Sequence, residues 1–293
     1  MVFPTHNPAQ QTFKWYCDLC GVSEAHISSA AAHLRDHVSK IRSLYRQPVG
    51  GSFPYHDLYF KFAYLVAYFP YYIEPLYHTL NAANLDNSLF GSGHLKASFF
   101  GGGPCPEVLG LAAYLRNQAP DLSSVSISVF DRESSWQVIQ KALVPDMLAS
   151  YTSDKTTFSI DCKHCNVVNC TAEICGCGVA GSDMIIAQNF LTEVCGDSER
   201  AIKTFEGLVD RSGCRYLVFV ENQYEEAREL MNAIARKLHS KGLTTKLVQA
   251  QTNEITPNIT LPDVLTKHLF TGKSGLIARK HVKYHHMVLE IAR

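Results

Sequence analysis

The chain lacks a charge imbalance: 27 Lys and Arg stand against 27 Asp and Glu, for a formal net charge of zero. No global field therefore announces a polyanionic partner, and any nucleic-acid contact would have to use a local basic patch. It also lacks a long, unbroken apolar run. The most apolar stretch, Phe60 to Ile73, carries Lys61 and Pro70 and stops at Glu74. That is too short and interrupted to cross a bilayer, so no membrane partner is expected. Met1-Val2-Phe3-Pro4-Thr5-His6 has neither a basic nor an apolar leader region. The expectation is no secretory signal and an intracellular address, nuclear or cytoplasmic. Internal repeats and low-complexity tracts are missing as well. What remains is an ordinary profile, 46% apolar and 18% charged over 293 residues, enough for one large domain or one plus a small module. Ten cysteines in an intracellular chain point to metal ligands and free thiols before disulfides.

Cys17-Asp18-Leu19-Cys20 is followed by His33 and His37, giving C-x2-C-x12-H-x3-H. Two cysteines on a hairpin and two histidines one helical turn apart can close a tetrahedral zinc site. With Trp15 two residues before the first cysteine, residues 1–47 resemble the C2H2 zinc-finger family. The resemblance implies a small ββα module holding a structural Zn2+ through Cys17, Cys20, His33 and His37. The positions that would face bases, His26, Ser28, Ser29 and Ala32, include no side chain capable of bidentate base reading, so sequence-specific DNA reading is not expected. RNA-shape binding, protein docking or structural support remain as roles. Arg35, Lys40, Arg42 and Arg46 suit either phosphate contact or a solvated helix face.

Gln47-Pro-Val-Gly-Gly-Ser-Phe-Pro54 is turn-rich and marks a boundary. Residues 48–95 then form a linker and an aromatic-rich helical segment, either a packed lid or core or a base-stacking surface. From residue 96 onward strand-like and helix-like runs alternate. Strands are expected at 96–100, 125–130, 156–160, 183–187, 215–220, 244–249 and 284–291. Helices are expected at 106–117, 134–148, 197–211, 223–241 and 261–270. The fold class is α/β: a Rossmann-like, mostly parallel seven-stranded sheet over 96–293 with helices on both faces. The irregular last connection leaves room for an antiparallel final strand.

In such a sheet ligands bind at the carboxyl ends of strands, where strand order reverses. The first strand runs into Gly101-Gly102-Gly103-Pro104 and then a helix, a turn that lets backbone approach a ligand closely. The second ends in Asp131, which can bond ribose hydroxyls or simply cap the next helix, with Trp136 placed to flank a base. The third end offers Asp161, either an acceptor for an adenine amino group or a turn residue. After the fourth come Gln188 and Asn189, facing the place where a transferred group would sit.

Taken together, Gly101-Gly-Gly-Pro104, Asp131, Asp161 and the segment Asp183 to Glu193 resemble a class I S-adenosylmethionine-dependent methyltransferase over about two-thirds of the chain. The resemblance implies S-adenosyl-L-methionine as cofactor, bound by Gly101, Gly102, Gly103, Asp131 and Asp161. Gln188 and Asn189 would orient a methyl acceptor on RNA or on an RNA-associated protein, recruited with help from the finger. Phe99 stands where the family often has an acid, and Cys105 where it has its last glycine. These two positions keep open the alternative of a non-catalytic binding protein with a degenerate fold. A nicotinamide dehydrogenase would want Gly-x-Gly-x-x-Gly, which Pro104 and Pro106 disrupt. Two further clusters stand apart. Cys162, Cys165, Cys170, Cys175 and Cys177 with His164 are either a second metal site or buried thiols. Lys273 to His286 is either a basic nucleic-acid path or a solvated edge.

Overall fold

The computed structural model describes residues 7–45, 53–169, 178–272 and 276–292. Helices α1 (Pro8–Leu19), α2 (Ile27–Leu44), α3 (Leu58–Ala67) and α4 (Glu74–Ala83) precede the sheet. Then follow β1 (His94–Phe100), α5 (Pro106–Gln118), β2 (Ser124–Asp131), α6 (Gln137–Leu148), β3 (Thr157–His164) and β4 (Met184–Gln188). The chain continues through α7 (Leu191–Val194), α8 (Ser198–Ser212), β5 (Tyr216–Asn222), α9 (Glu225–Ser240), β6 (Thr244–Ile255), α10 (Asp263–His268) and β7 (Val282–Ala292).

The strands form one seven-stranded sheet in the order β3-β2-β1-β4-β5-β7-β6. The first five run parallel, while β7 enters antiparallel between β5 and β6. Central strands are covered on both faces, so they read as continuous apolar runs; all five residues of β4 are buried. Residues of α1 to α6 fill one face together with Phe99, Val129, Ile186 and Val218. Residues of α8 and α9 fill the other with Phe100, Ile185, Phe219 and Leu289. Strand order reverses between β1 and β4, which pair with each other in parallel register and open a crevice at their carboxyl ends.

Helix α5 lies unusually close to the chain before α4. A Cβ placed on Gly110 would come 2.3 Å from the backbone oxygen of Ile73. Alanine is the better helix former by about 1 kcal/mol, yet this clash is with backbone and cannot be relieved by a rotamer change. Gly110→Ala is therefore expected to lower stability by about 1–3 kcal/mol. A urea unfolding midpoint that stays put or rises would show that the two segments are not packed this way.

The N-terminal segment is a correction to the finger expectation. Residues 8–19 are α-helical, not a hairpin, with Asn7 accepting from the Gln10 N–H at 3.1 Å and Pro8 opening the helix. Ala9, Thr12, Phe13, Tyr16 and Cys17 fall at helical spacing and are buried. Tyr16 packs on Phe62 of α3 with ring centroids 4.8 Å apart. This apolar stripe outweighs the turn signal of the Cys-x2-Cys pair. Cys17 sits in the last turn of α1, where its side chain is buried. His33 and His37 lie on α2 against the Tyr59 ring, 4.8 Å and 5.8 Å away. Among the described residues no group of three or more His, Cys, Asp or Glu is arranged to hold a metal ion. Cys17, Cys20, His33 and His37 are thus not gathered into a zinc site among the described residues, and Pro8–Leu19 and Ile27–Leu44 are α-helices rather than parts of a ββα module. Cys162 and Cys165 are buried, while Cys170, Cys175 and Cys177 lie outside the described residues.

The basic end of α2 is engaged within the fold. Arg35 donates to the His268 carbonyl at 2.6 Å, Arg42 donates to the Ile277 carbonyl, and Arg46 lies outside the described residues. Among the described residues no helix is long and apolar enough to cross a membrane.

Candidate functional site

The turn after β1 is shaped by contacts that only glycine permits. Gly101 has φ +65° and donates to the Phe130 carbonyl at 2.8 Å; a Cβ there would fall 2.1 Å from the Phe190 ring. At Gly102 it would meet Val129 at 2.8 Å. Gly103, at φ +48°, donates its N–H to Asp131 Oδ2 at 2.7 Å, and its carbonyl accepts from Gln140 Nε2 at 2.6 Å. Asp131 Oδ1 accepts from the Glu133 N–H, also at 2.7 Å. The carboxylate at the end of β2 therefore ties the glycine turn to the start of the next loop. Both backbone donors favour its charge, but burial is the larger effect and raises its pKa.

Beside this turn lies a cavity of about 350 Å³ at the reversal point of the sheet. Tyr45, Tyr55, Tyr64 and Trp136 form one aromatic wall, and Phe130 and Phe190 contribute from the sheet side. Trp136 is 1% exposed, with the Tyr55 and Tyr64 rings 5.6 Å and 5.9 Å from it. The aromatic segment of 53–83 is thus largely core, with Tyr55 and Tyr64 turned to the cavity.

The polar lining is acidic. Glu107, in the first turn of α5, is fully buried, and burial, with Asp131 nearby, pushes its carboxyl up to about 8. Glu193 is pushed up to about 7 by burial and by Asp131, opposed by Arg132 at 3.3 Å and by the Tyr55 hydroxyl, which donates to it at 3.2 Å. Arg132 is the one Lys or Arg in the lining among the described residues. Gln188 closes the floor at the end of β4. Its Nε2 donates to the Tyr72 carbonyl at 2.7 Å, and its buried Oε1 has no hydrogen-bond partner among the described residues. Asn189 follows at φ 54° and donates its N–H to the Val220 carbonyl at 2.8 Å. Buried Glu221 holds the next turn by accepting from the Leu191 N–H at 2.5 Å and the Thr192 hydroxyl at 2.6 Å.

Of the residues singled out from sequence, Gly101, Gly102, Gly103, Asp131, Gln188 and Asn189 line this one cavity. Asp161 does not. β3 runs on to His164, so Asp161 falls mid-strand, exposed and paired with Lys163 at 3.2 Å. The residues after β3 that reach the cavity are Cys165 and Asn166, beginning four residues beyond Asp161. Glu107 and Glu193 were not among the expected site residues. An acidic residue in the first helical turn after a glycine loop was the available signal for Glu107. Phe99, where an acid was missed, is fully buried in the core.

No protein-family model matches the chain, and no curated protein matches it in sequence. Solved structures do resemble it. One is a proposed RNA methyltransferase from Pyrococcus horikoshii, at 8% identity and a TM-score of 0.40, covering 89% of this chain and 96% of that one. Another is an O-methyltransferase family protein from Burkholderia thailandensis, at 12% identity and 0.43, covering 87% and 68%. A third, an antibiotic-related methyltransferase, gives 9% and 0.37, covering 69% and 90%. Likenesses this distant carry no weight for activity, which has to be read from the cavity.

Proposed function

We propose that the cavity binds S-adenosylmethionine and that the protein is a methyltransferase. The observation that carries this is the convergence of Glu107, Asp131 and Glu193 on a lining with a single arginine. Glu193 has Arg132, but Glu107 and Asp131 are buried carboxyls with raised pKa values and, among the described residues, no ion pair, and a ligand bearing ammonium and sulfonium charge supplies the missing cation. A dinucleotide would place its pyrophosphate at the start of α5, where the Glu107 carboxyl already stands. The acid absent at Phe99 is therefore brought in from the helix side, which weakens the case for a degenerate, non-catalytic domain.

When bound, S-adenosylmethionine supplies a methyl group on sulfur that a nucleophile of the acceptor can displace. Gly101 to Gly103 let backbone approach the ligand, Asp131 accepts from its hydroxyls, and Trp136 flanks its base. Glu107 receives its ammonium group. Gln188 Oε1, buried and unpartnered, accepts from an N–H or O–H of the acceptor and so orients the nucleophile. Catalysis of this kind is chiefly positioning.

Calorimetry tests the reading. Titration with S-adenosylmethionine should show one site per chain, while NAD gives no heat of binding. Folded protein that leaves S-adenosylmethionine unbound would overturn the assignment.

A further inference from the structure

A second concavity, of about 550 Å³, opens on the same edge of the sheet. It is formed where β5 ends at Asn222, β6 ends near Glu254 and β7 begins near Lys283. Tyr45 lines both this groove and the cavity described above. Between them runs a column of tyrosines, Tyr64, Tyr68 and Tyr72, at successive ring separations of 5.3 Å and 6.3 Å. Tyr72 also holds Gln188 through its carbonyl and Asn222 through its hydroxyl, the latter at 3.0 Å.

The groove's side chains leave one charge unanswered. The Arg279 guanidinium lies over the Tyr68 and Tyr72 rings, 5.2 Å and 5.3 Å from their centroids, and donates to the Tyr72 hydroxyl at 2.9 Å. Among the described residues it has no carboxylate within ion-pair distance. Glu254, the acid of the groove, is 3.3 Å from Lys283 and 3.6 Å from His281. Other arginines do have carboxylate partners: Arg215 pairs with Asp86 and with Glu290 at 3.1 Å, and Arg132 with Glu193, whereas Arg35 and Arg42 donate to backbone carbonyls. A partly buried guanidinium without a counter-ion is costly, and its planar fork is suited to two oxygens of one anion. Stacking on two rings fixes that fork's plane, and one hydroxyl accounts for only one of its five N–H groups.

We infer that this groove is the acceptor subsite, and that Arg279 holds an oxyanion, phosphate or carboxylate, carried by the molecule to be methylated. The inference rests on the methyltransferase reading for the word acceptor; the anion site itself does not. It places the anion at the far end of the tyrosine column from the S-adenosylmethionine cavity, with Tyr72 joining it to the Gln188 amide that orients the nucleophile.

Full-length protein labelled with 15N-arginine reports directly on the guanidinium by NMR. Titration with inorganic phosphate and, separately, with acetate at constant ionic strength should move the Arg279 Nε–H signal saturably in at least one series. That signal is identified by its absence from the Arg279→Lys spectrum. Tighter phosphate binding assigns a phosphate-bearing acceptor, and tighter acetate binding a carboxylate-bearing one. Anion affinity, followed by chemical-shift changes around the groove, should fall roughly tenfold in Arg279→Lys, which keeps the charge and loses the fork, and further in Arg279→Gln. Both variants should bind S-adenosylmethionine like the wild type, which also shows that they fold. An Arg279 signal that neither anion saturates, or an unchanged anion affinity in Arg279→Gln, overturns the inference. Failure of the wild type to bind S-adenosylmethionine would instead strike the methyltransferase reading and leave the anion result standing.

Discussion

Replacing Asp131 by alanine is expected to weaken S-adenosylmethionine binding by roughly a hundredfold. Hydrogen bonds to a charged group contribute about 1.5–3 kcal/mol each, and a hundredfold corresponds to about 2.7 kcal/mol. The carboxylate is the only one at the end of β2, and each of its oxygens already accepts one backbone N–H, from Gly103 and Glu133. An oxygen has a second lone pair, so the same atoms can accept ligand hydroxyls without releasing the turn. Asn at this position should also fail, because its amide would set an N–H against one of the two backbone donors. Calorimetry measures the affinity and urea unfolding the stability, and the two together separate binding from capping. A lowered unfolding midpoint with unchanged affinity would mean that Asp131 only caps the turn.

The second large effect is a pH dependence with two opposite signs. Burial raises Glu107 from about 4.5 to about 8 and Glu193 to about 7 in the free protein. In the unfolded chain both are ordinary carboxyls, so between roughly pH 4.5 and 8 the folded state binds more protons than the unfolded one. The contribution of these two carboxyls to the stability of the free protein is therefore full below about pH 4.5 and is lost as pH rises through 7 to 8, at no more than about 1.4 kcal/mol per pH unit for each group. Glu221, raised to about 7 by burial, adds to this trend although it only holds the Leu191 turn. Binding of a cationic ligand runs the other way. It favours the carboxylate, so it expels the proton, and affinity should climb by up to about tenfold per pH unit between pH 6 and 8 for each proton released, then level off. In Glu107→Gln the slope should shrink. At pH 6, where Glu107 is protonated, variant and wild type should bind alike; at pH 8.5 the wild type should be the tighter by tens of fold on the same reckoning. A cofactor affinity that is flat from pH 6 to 8.5 in the wild type would remove Glu107 from the site.

Much of this could be read along the chain. Except for β6, which runs to Ile255 where 249 was expected, the sheet strands and covering helices fall within a few residues of their expected places, because parallel strands buried on both faces leave short apolar runs punctuated by glycine and polar turns. The glycine turn, Asp131, Gln188 and Asn189 line one cavity, as strand ends in such a sheet do, and their placement there needed only strand boundaries. The strand-end rule failed at Asp161, where the boundary was misplaced: β3 continues to His164 through residues that are partly exposed and carry little apolar signal. It failed again at the N-terminus, where a ligand-like spacing of Cys and His masked a helical apolar stripe.

By itself, the amino-acid sequence determined the α/β alternation, the glycine turn and the polar residues that follow β2 and β4, since each depends on local periodicity and backbone geometry. Tertiary structure alone decided that β7 runs antiparallel between β5 and β6, that α1 and α2 pack into the main core, and that Glu107 faces the cavity while Asp161 does not. It alone set Arg279 against tyrosines more than two hundred residues earlier in the chain. The reason is the same in each case. Burial and missing counter-charges arise from contacts between distant segments, and neither leaves a period or a spacing in the sequence.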